Sequence, residues 1–225
     1  MKTRIQALAS LTFVYFLAIA ATMQAVVPPP DGGYPNFTTA EGTKALQNLT
    51  IGAANTGVGW YALFSVTTAG FNTALGAGTL ALNTADSNTA VGTAALLLNT
   101  IGTDNTAIGS LAATFNETGF QNTAIGFGAA NGNETGFGNT AVGYQALLNN
   151  DGGSGNTALG YLAGSNLTIG DSNICIGNDG VAGDAGVIRI GRNFINSTYI
   201  AWRRCGLCRY RWQTGHQHLL GALQG

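Results

Sequence analysis

The segment NTAIGFGAANGNETGFGNTAVG (residues 122–143) contains the unit Asn-Thr-Ala-aliphatic-Gly twice, the second copy starting 17 residues after the first. The unit recurs along the chain: NTGVG at Asn55, NTALG at Asn72, NTAVG at Asn88, NTAIG at Asn105 and Asn122, NTAVG at Asn139, NTALG at Asn156 and NICIG at Asn173. Every step is 17 residues except the 16 between Asn72 and Asn88, and a degenerate copy, TTAEG from Thr38, keeps the register upstream. These copies predict about nine repeats. Most continue, two residues after the glycine, with Ala-Leu or Ala-Ala, as at Ala62-Leu63 and Ala129-Ala130.

A 17-residue period is too short for a pair of helices with turns, since helical repeats run to about 33 residues or more. The segments are β-compatible. The five-residue unit predicts a strand of about 15 Å, and the Ala-Leu segment a second strand or a turn. One repeat is then one coil of a parallel β-solenoid, and coils about 4.8 Å apart make a rod of roughly 40 Å.

Each column of the repeat has an expected role. Val58, Leu75, Val91, Ile108, Ile125, Val142, Leu159 and Ile176 form an aliphatic column whose burial by stacking supplies about 1.5–3 kcal/mol per side chain. Asn55, Asn72, Asn88, Asn105, Asn122, Asn139, Asn156 and Asn173 are expected to form an amide ladder at a corner of the coil. Gly59, Gly76, Gly92, Gly109, Gly126, Gly143, Gly160 and Gly177 fall where the chain must turn and a side chain would clash or strain the backbone.

Composition narrows the function. Charged residues are 8% of the chain, against about 25% in ordinary soluble domains, and 34 of 225 residues are Gly. A net charge of −1 gives no field to steer the chain to nucleic acid or an anionic membrane. The 45% apolar content argues for a folded chain.

The N-terminus reads as an export signal: Lys2 and Arg4 precede an apolar run, Leu11 to Ala20, with a cleavage point after Ala25. The run is too short for a membrane anchor, which needs about 20 residues, so no membrane insertion of the mature chain is expected. The organisation expected is a signal peptide over 1–25, a leader over 26–37, repeats over 38–191 and a tail over 192–225. Only Cys175 lies in the body of the chain, so no disulfide framework is expected.

The recurrent NTAIG/NTAVG units with following Ala-Leu, in an exported chain rich in Gly, Asn and Thr, resemble the head repeats of YadA-like trimeric autotransporter adhesins over about Thr38 to Gly191. The resemblance implies a left-handed parallel β-roll, assembly as a homotrimer, display outside a bacterial cell, and attachment to surfaces, cells, matrix proteins or glycans. The period is longer than in the best-known heads. No heptad stalk and no series of alternating ten-residue barrel strands is found. Similar arrays also resemble shafts of proteins that end in a tail-fibre chaperone domain, which makes a spacer the alternative function.

Chemistry is sparse. Most acids fall between repeats, and Glu117, Glu134 and Asp151 are spaced to form one column. Stacked carboxylates suggest a Ca²⁺ ladder, but like charges at about 4.8 Å repel by only about 0.9 kcal/mol in water, so a solvated edge suffices. No catalytic residue, metal site or cofactor is expected, and a polysaccharide-acting enzyme ranks below the structural readings. The threonines Thr56, Thr73, Thr89, Thr106, Thr123, Thr140 and Thr157 share a side with the aliphatic column. Exposed, such a column suits ice binding; buried, it serves the fold, and burial is expected. Six Asn-x-Thr/Ser sequons (Asn36, Asn48, Asn116, Asn133, Asn166, Asn196) follow from composition.

The tail AWRRCGLCRYRWQTGHQHLL (Ala201 to Leu220) breaks the pattern. Cys205-x-x-Cys208 is followed after seven residues by His216-x-His218, which misses the spacing of a Cys₂His₂ zinc site. Its arginines and aromatics offer a nucleic-acid patch, but none is expected on an exported rod. The abrupt change near residue 201 favours an out-of-frame tail.

Overall fold

The computed structural model describes residues 35–191. The expected signal peptide with its Ala25 cleavage point, most of the leader, and the tail with Cys205, Cys208, His216 and His218 lie outside the described residues.

After a short 3-10 turn at Pro35–Phe37 come ten strands: β1 (Thr39–Glu41), β2 (Thr56–Val58), β3 (Thr73–Leu75), β4 (Thr89–Val91), β5 (Thr106–Ile108), β6 (Thr123–Ile125), β7 (Thr140–Val142), β8 (Thr157–Leu159), β9 (Ile174–Ile176) and β10 (Ile188–Ile190). They form one parallel sheet in sequence order, each strand pairing in register with the next. Thr106, Ala107 and Ile108 thus lie beside Thr123, Ala124 and Ile125. The chain is an all-β solenoid with one strand per coil. Each strand is three residues long, not five, because Asn and Gly at its ends direct their backbone into the corners. The Ala-Leu segment is a turn, and β10 closes a shorter final coil, 14 residues after β9.

The interior is narrow, and that sets which side chains face it. The middle residue of each strand points inward: Ala74, Ala90, Ala107, Ala124, Ala141 and Ala158 are completely buried. Leu63, Leu80, Leu96 and Leu147 fill the space from the opposite turn. The aliphatic column therefore faces out. Leu75 is 49% exposed and Ile108 40%, while Val58, Val91 and Val142 are half-buried. This corrects the expectation that the column forms the core. Strand alternation carries the threonines outward too, and a coil this flat has room inside only for alanine, glycine or Cys175.

The turns are built from left-handed backbone. Leu63 (φ 52), Leu80 (φ 52), Leu96 (φ 50) and Leu147 (φ 52) all take positive φ, at about 1–2 kcal/mol each. Their N–H groups cross to the next coil: Leu63 N donates to Thr79 O at 3.1 Å and Leu147 N to Ala163 O at 2.9 Å. Hydrogen bonds between coils and complete burial offset the strain. At Gly126 the φ is +134, and a Cβ would lie 2.3 Å from Gly143 O. The glycine column marks where adjacent coils touch backbone to backbone; Gly177, with open space around it, is the exception.

Candidate functional site

Two asparagine columns lock one corner of the coil. In the first, each side-chain oxygen accepts the backbone N–H of the next copy: Asn105 Oδ1 from Asn122 N at 3.0 Å, Asn139 Oδ1 from Asn156 N at 2.9 Å. Each amide nitrogen donates to a carbonyl in the following coil, as Asn105 Nδ2 does to Gly119 O at 2.8 Å. The ladder thus runs mainly from amide to backbone. Direct amide-to-amide bonds between copies join Asn72 to Asn55 and Asn173 to Asn156.

A second column, Asn83, Asn99, Asn116, Asn133 and Asn150, was not singled out from the sequence. Here the amides do bond one another: Asn99 to Asn83 at 2.6 Å, Asn116 to Asn99 at 2.7 Å, Asn133 to Asn116 at 2.9 Å and Asn150 to Asn133 at 3.0 Å. All five are buried, so the sequons at Asn116 and Asn133 sit inside the folded solenoid, whereas Asn48 and Asn166 are exposed. These asparagines recur at almost the same period as the first column, but within NET and NDG an asparagine also fits an ordinary turn.

The main candidate surface is the outer face of the sheet. From β2 to β9 its two outward rows hold only threonine and aliphatic residues, without a charge. Stacked aromatics border the later coils, Phe120 on Phe137 at 4.9 Å on one side, and Phe127 on Tyr144 at 5.5 Å and Tyr144 on Tyr161 at 5.3 Å on the other. The eight strands β2–β9, at about 4.8 Å spacing and about 10 Å wide, make a strip of roughly 340 Å² before the aromatics are added. Uncharged and continuous from coil to coil, it is the candidate interaction surface of the described residues.

Glu117, Glu134 and Asp151 stand in one exposed column, with Glu117 N donating to Glu134 O at 3.0 Å and Glu134 N to Asp151 O at 2.9 Å. Among the described residues no group of three His, Cys, Asp or Glu side chains is placed to share a metal ion. Cys175 is buried in the core, and that burial pushes its thiol above its usual range, with the Asp184 carboxylate adding to the shift. The hydrogen bond from Arg189 holds Asp184 below the usual carboxylate range, in an ion pair within the last coil. Among the described residues no helix is long and apolar enough to cross a membrane.

No family model, no curated protein and no solved structure matches the chain.

Proposed function

We propose that this chain is an exported, rod-forming attachment protein, built like the head of a YadA-like trimeric adhesin as a left-handed β-roll. Three copies pack their outer sheet faces together and present the remaining sides of the rod to a surface, a cell or a matrix component. The observation that supports this reading is the uncharged Thr/aliphatic face along β2–β9, which a lone rod leaves in water. Covering it with a copy of itself is the simplest way to remove that cost, because the face is straight and repeats in register. Attachment follows from the NTAxG resemblance and from a fold that offers long, rigid, repetitive sides. The chain has no enzymatic role in this account.

Beads coated with the purified chain test the attachment. They are expected to adhere to at least one of three surfaces, collagen-coated, polysaccharide-coated or cell-covered, while albumin-coated beads do not. Equal retention of both kinds of bead on all three would contradict the reading.

The outward Thr row, half-buried at Thr89 and exposed at Thr140, also favours a second reading, since an outward threonine array is the arrangement that suits ice. Thermal hysteresis from a chain that runs as a single copy would select this reading over the first; a three-copy mass without hysteresis would exclude it.

A further inference from the structure

Within residues 35–191 the chain places glycine after an asparagine or aspartate three times, at Asn131-Gly132, Asp151-Gly152 and Asp179-Gly180. In such a pair the glycine nitrogen, unshielded by a side chain, can attack the side-chain carbonyl carbon of the residue before it and close a five-membered ring. The attack needs a nitrogen whose N–H is not committed to an acceptor. The solenoid commits it at two of the sites. Gly132 N donates to Leu148 O at 2.9 Å, and the Asn131 side chain is itself held, its Nδ2 donating to Leu111 O at 2.9 Å. Gly180 N donates to Asn178 Oδ1 at 2.9 Å.

At Asp151-Gly152 the coil leaves the nitrogen open. Elsewhere in this column one carbonyl gathers several donors from the coil before it: Thr67 O accepts from Thr50, Ile51 and Gly52, and Glu134 O from Glu117, Thr118 and Gly119. Of the three corresponding donors here, Asp151 alone reaches Thr168 O, at 2.8 Å, and neither Gly152 N nor Gly153 N has an acceptor among the described residues. Asp151 is exposed, and its carboxylate bonds no other described group. One and two coils earlier the column holds Glu134 and Glu117, each a methylene longer and followed by threonine. Asp151 is therefore the member of the column that can close the five-membered ring.

We propose that Asp151-Gly152 is a site of spontaneous covalent modification in the folded protein, where aspartate isomerises to isoaspartate. Gly152 N, giving its proton to water, bonds to Cγ of the carboxylic acid form of Asp151, and the acid's hydroxyl leaves as water. One water molecule then opens the succinimide. Opening at the former side-chain carbonyl restores aspartate; opening at the main-chain carbonyl leaves the chain running through Cγ, as isoaspartate. One water is lost and one is taken up, so no oxidant or further reactant is needed. The product adds a methylene to the backbone between Asn150 and Gly153. Gly153 O is the shared acceptor of Asn139 Nδ2 and Asn150 Nδ2, both at 2.8 Å, and both side chains are buried. Displacing that oxygen leaves two buried amides short of an acceptor, so the reaction loosens the asparagine corner of the coil. The rod thus loses stability with age at one defined place. The inference depends neither on the attachment reading nor on the number of copies.

Peptide mapping with electron-transfer fragmentation, which separates isoaspartate from aspartate, tests this on the full chain incubated for several weeks, folded in buffer or unfolded in urea. Asparagine before glycine is the faster pair in an unfolded chain, so in urea Asn131 is expected to lead. In the folded chain the order is expected to reverse, with isoaspartate at 151 at least tenfold ahead of product at 131 and 179. Asp151→Glu and Gly152→Thr give the site the residue types of Glu134 and Thr135, and each is expected to suppress the product at least tenfold in protein that keeps its β circular dichroism. A threonine fits there, since Gly152 lies outside the left-handed region and an added Cβ meets only Thr135 Oγ1, at 3.3 Å. Urea unfolding of aged samples reads the consequence: the aged native chain should unfold at lower urea than the fresh one, and aged Asp151→Glu at the same urea as fresh Asp151→Glu. A folded chain without isoaspartate at 151, or one in which Asn131 still leads, overturns the proposal. So does an isomerised chain as stable as the fresh one, or an equal loss on ageing in Asp151→Glu.

Discussion

The second asparagine column and the places where it is interrupted occupy the same position in the coil, yet one is polar and the other aliphatic. Asn83 through Asn150 fill five consecutive coils, while Leu49 and Val66 precede them and Leu167 follows. An amide stacked between two amides gives and receives a hydrogen bond with its copies, and Asn116 does both, to Asn99 and from Asn133. At the end of the array one partner is missing. A buried amide without that partner costs about 1–3 kcal/mol per unsatisfied group, so a hydrophobic side chain is the better filling there. A polar interior is thus stable here as a collective property, not rung by rung.

The largest effect that can break the comparison comes from a position both regions share. Gly126→Val, which drives a Cβ into the carbonyl of Gly143 at a φ of +134, is expected to lower stability by roughly 3–5 kcal/mol in urea unfolding. The central-against-end contrast is sharper in a pair of variants. Asn116→Leu strips Asn99 Oδ1 of its donor and leaves one N–H of Asn133 unpaired, for an expected loss of about 2–4 kcal/mol. Asn150→Leu extends the aliphatic end by one coil. Asn133 Oδ1 and Gly153 O both keep the donor Asn139 Nδ2, so the loss should stay below about 1.5 kcal/mol. Equal losses at the two positions would remove the collective argument.

Smaller effects test the turns and the last coil. Gln121 has φ 57 in a column where the next two coils carry Gly138 and Gly155. Gln121→Gly should raise stability by up to about 1 kcal/mol, relief of left-handed strain exceeding the entropy of glycine. The smallest effect is on pH dependence. Asp184 is held below its unfolded value by Arg189, so the stability it contributes is present above about pH 4 and lost as pH falls through its folded value. The protection of the β10 amides against hydrogen exchange, taken relative to the intrinsic rate at each pH, should fall in acid, and Arg189→Gln should remove that dependence.

The sequence showed the period, the glycine column and the first asparagine column because each repeats the same residue at the same spacing. Which face of the strand is inside was read wrongly. Alternation shows that Thr123 and Ile125 share a side but not which side is inside, and the size of the aliphatic residue points the wrong way. The decisive signal was the residue between them, which is alanine, glycine or cysteine in every coil from β1 to β9. A column that admits nothing larger than cysteine faces the interior of a flat coil. The second ladder was hidden for a different reason: asparagine in a loop has an ordinary local explanation, and only the inward direction of Asn99, Asn116 and Asn133 distinguishes a buried rung from a turn.

The central claim is that the outward Thr/aliphatic face is covered by copies of the chain. Light scattering coupled to size exclusion measures the mass directly, for the purified chain and for Ile125→Lys, which puts a charge in the middle of that face. The expected result is a three-copy mass for the native chain and a single-copy mass for a variant that still shows its β circular dichroism. A folded native chain running at single-copy mass, at concentrations where the rod is soluble, would contradict the account.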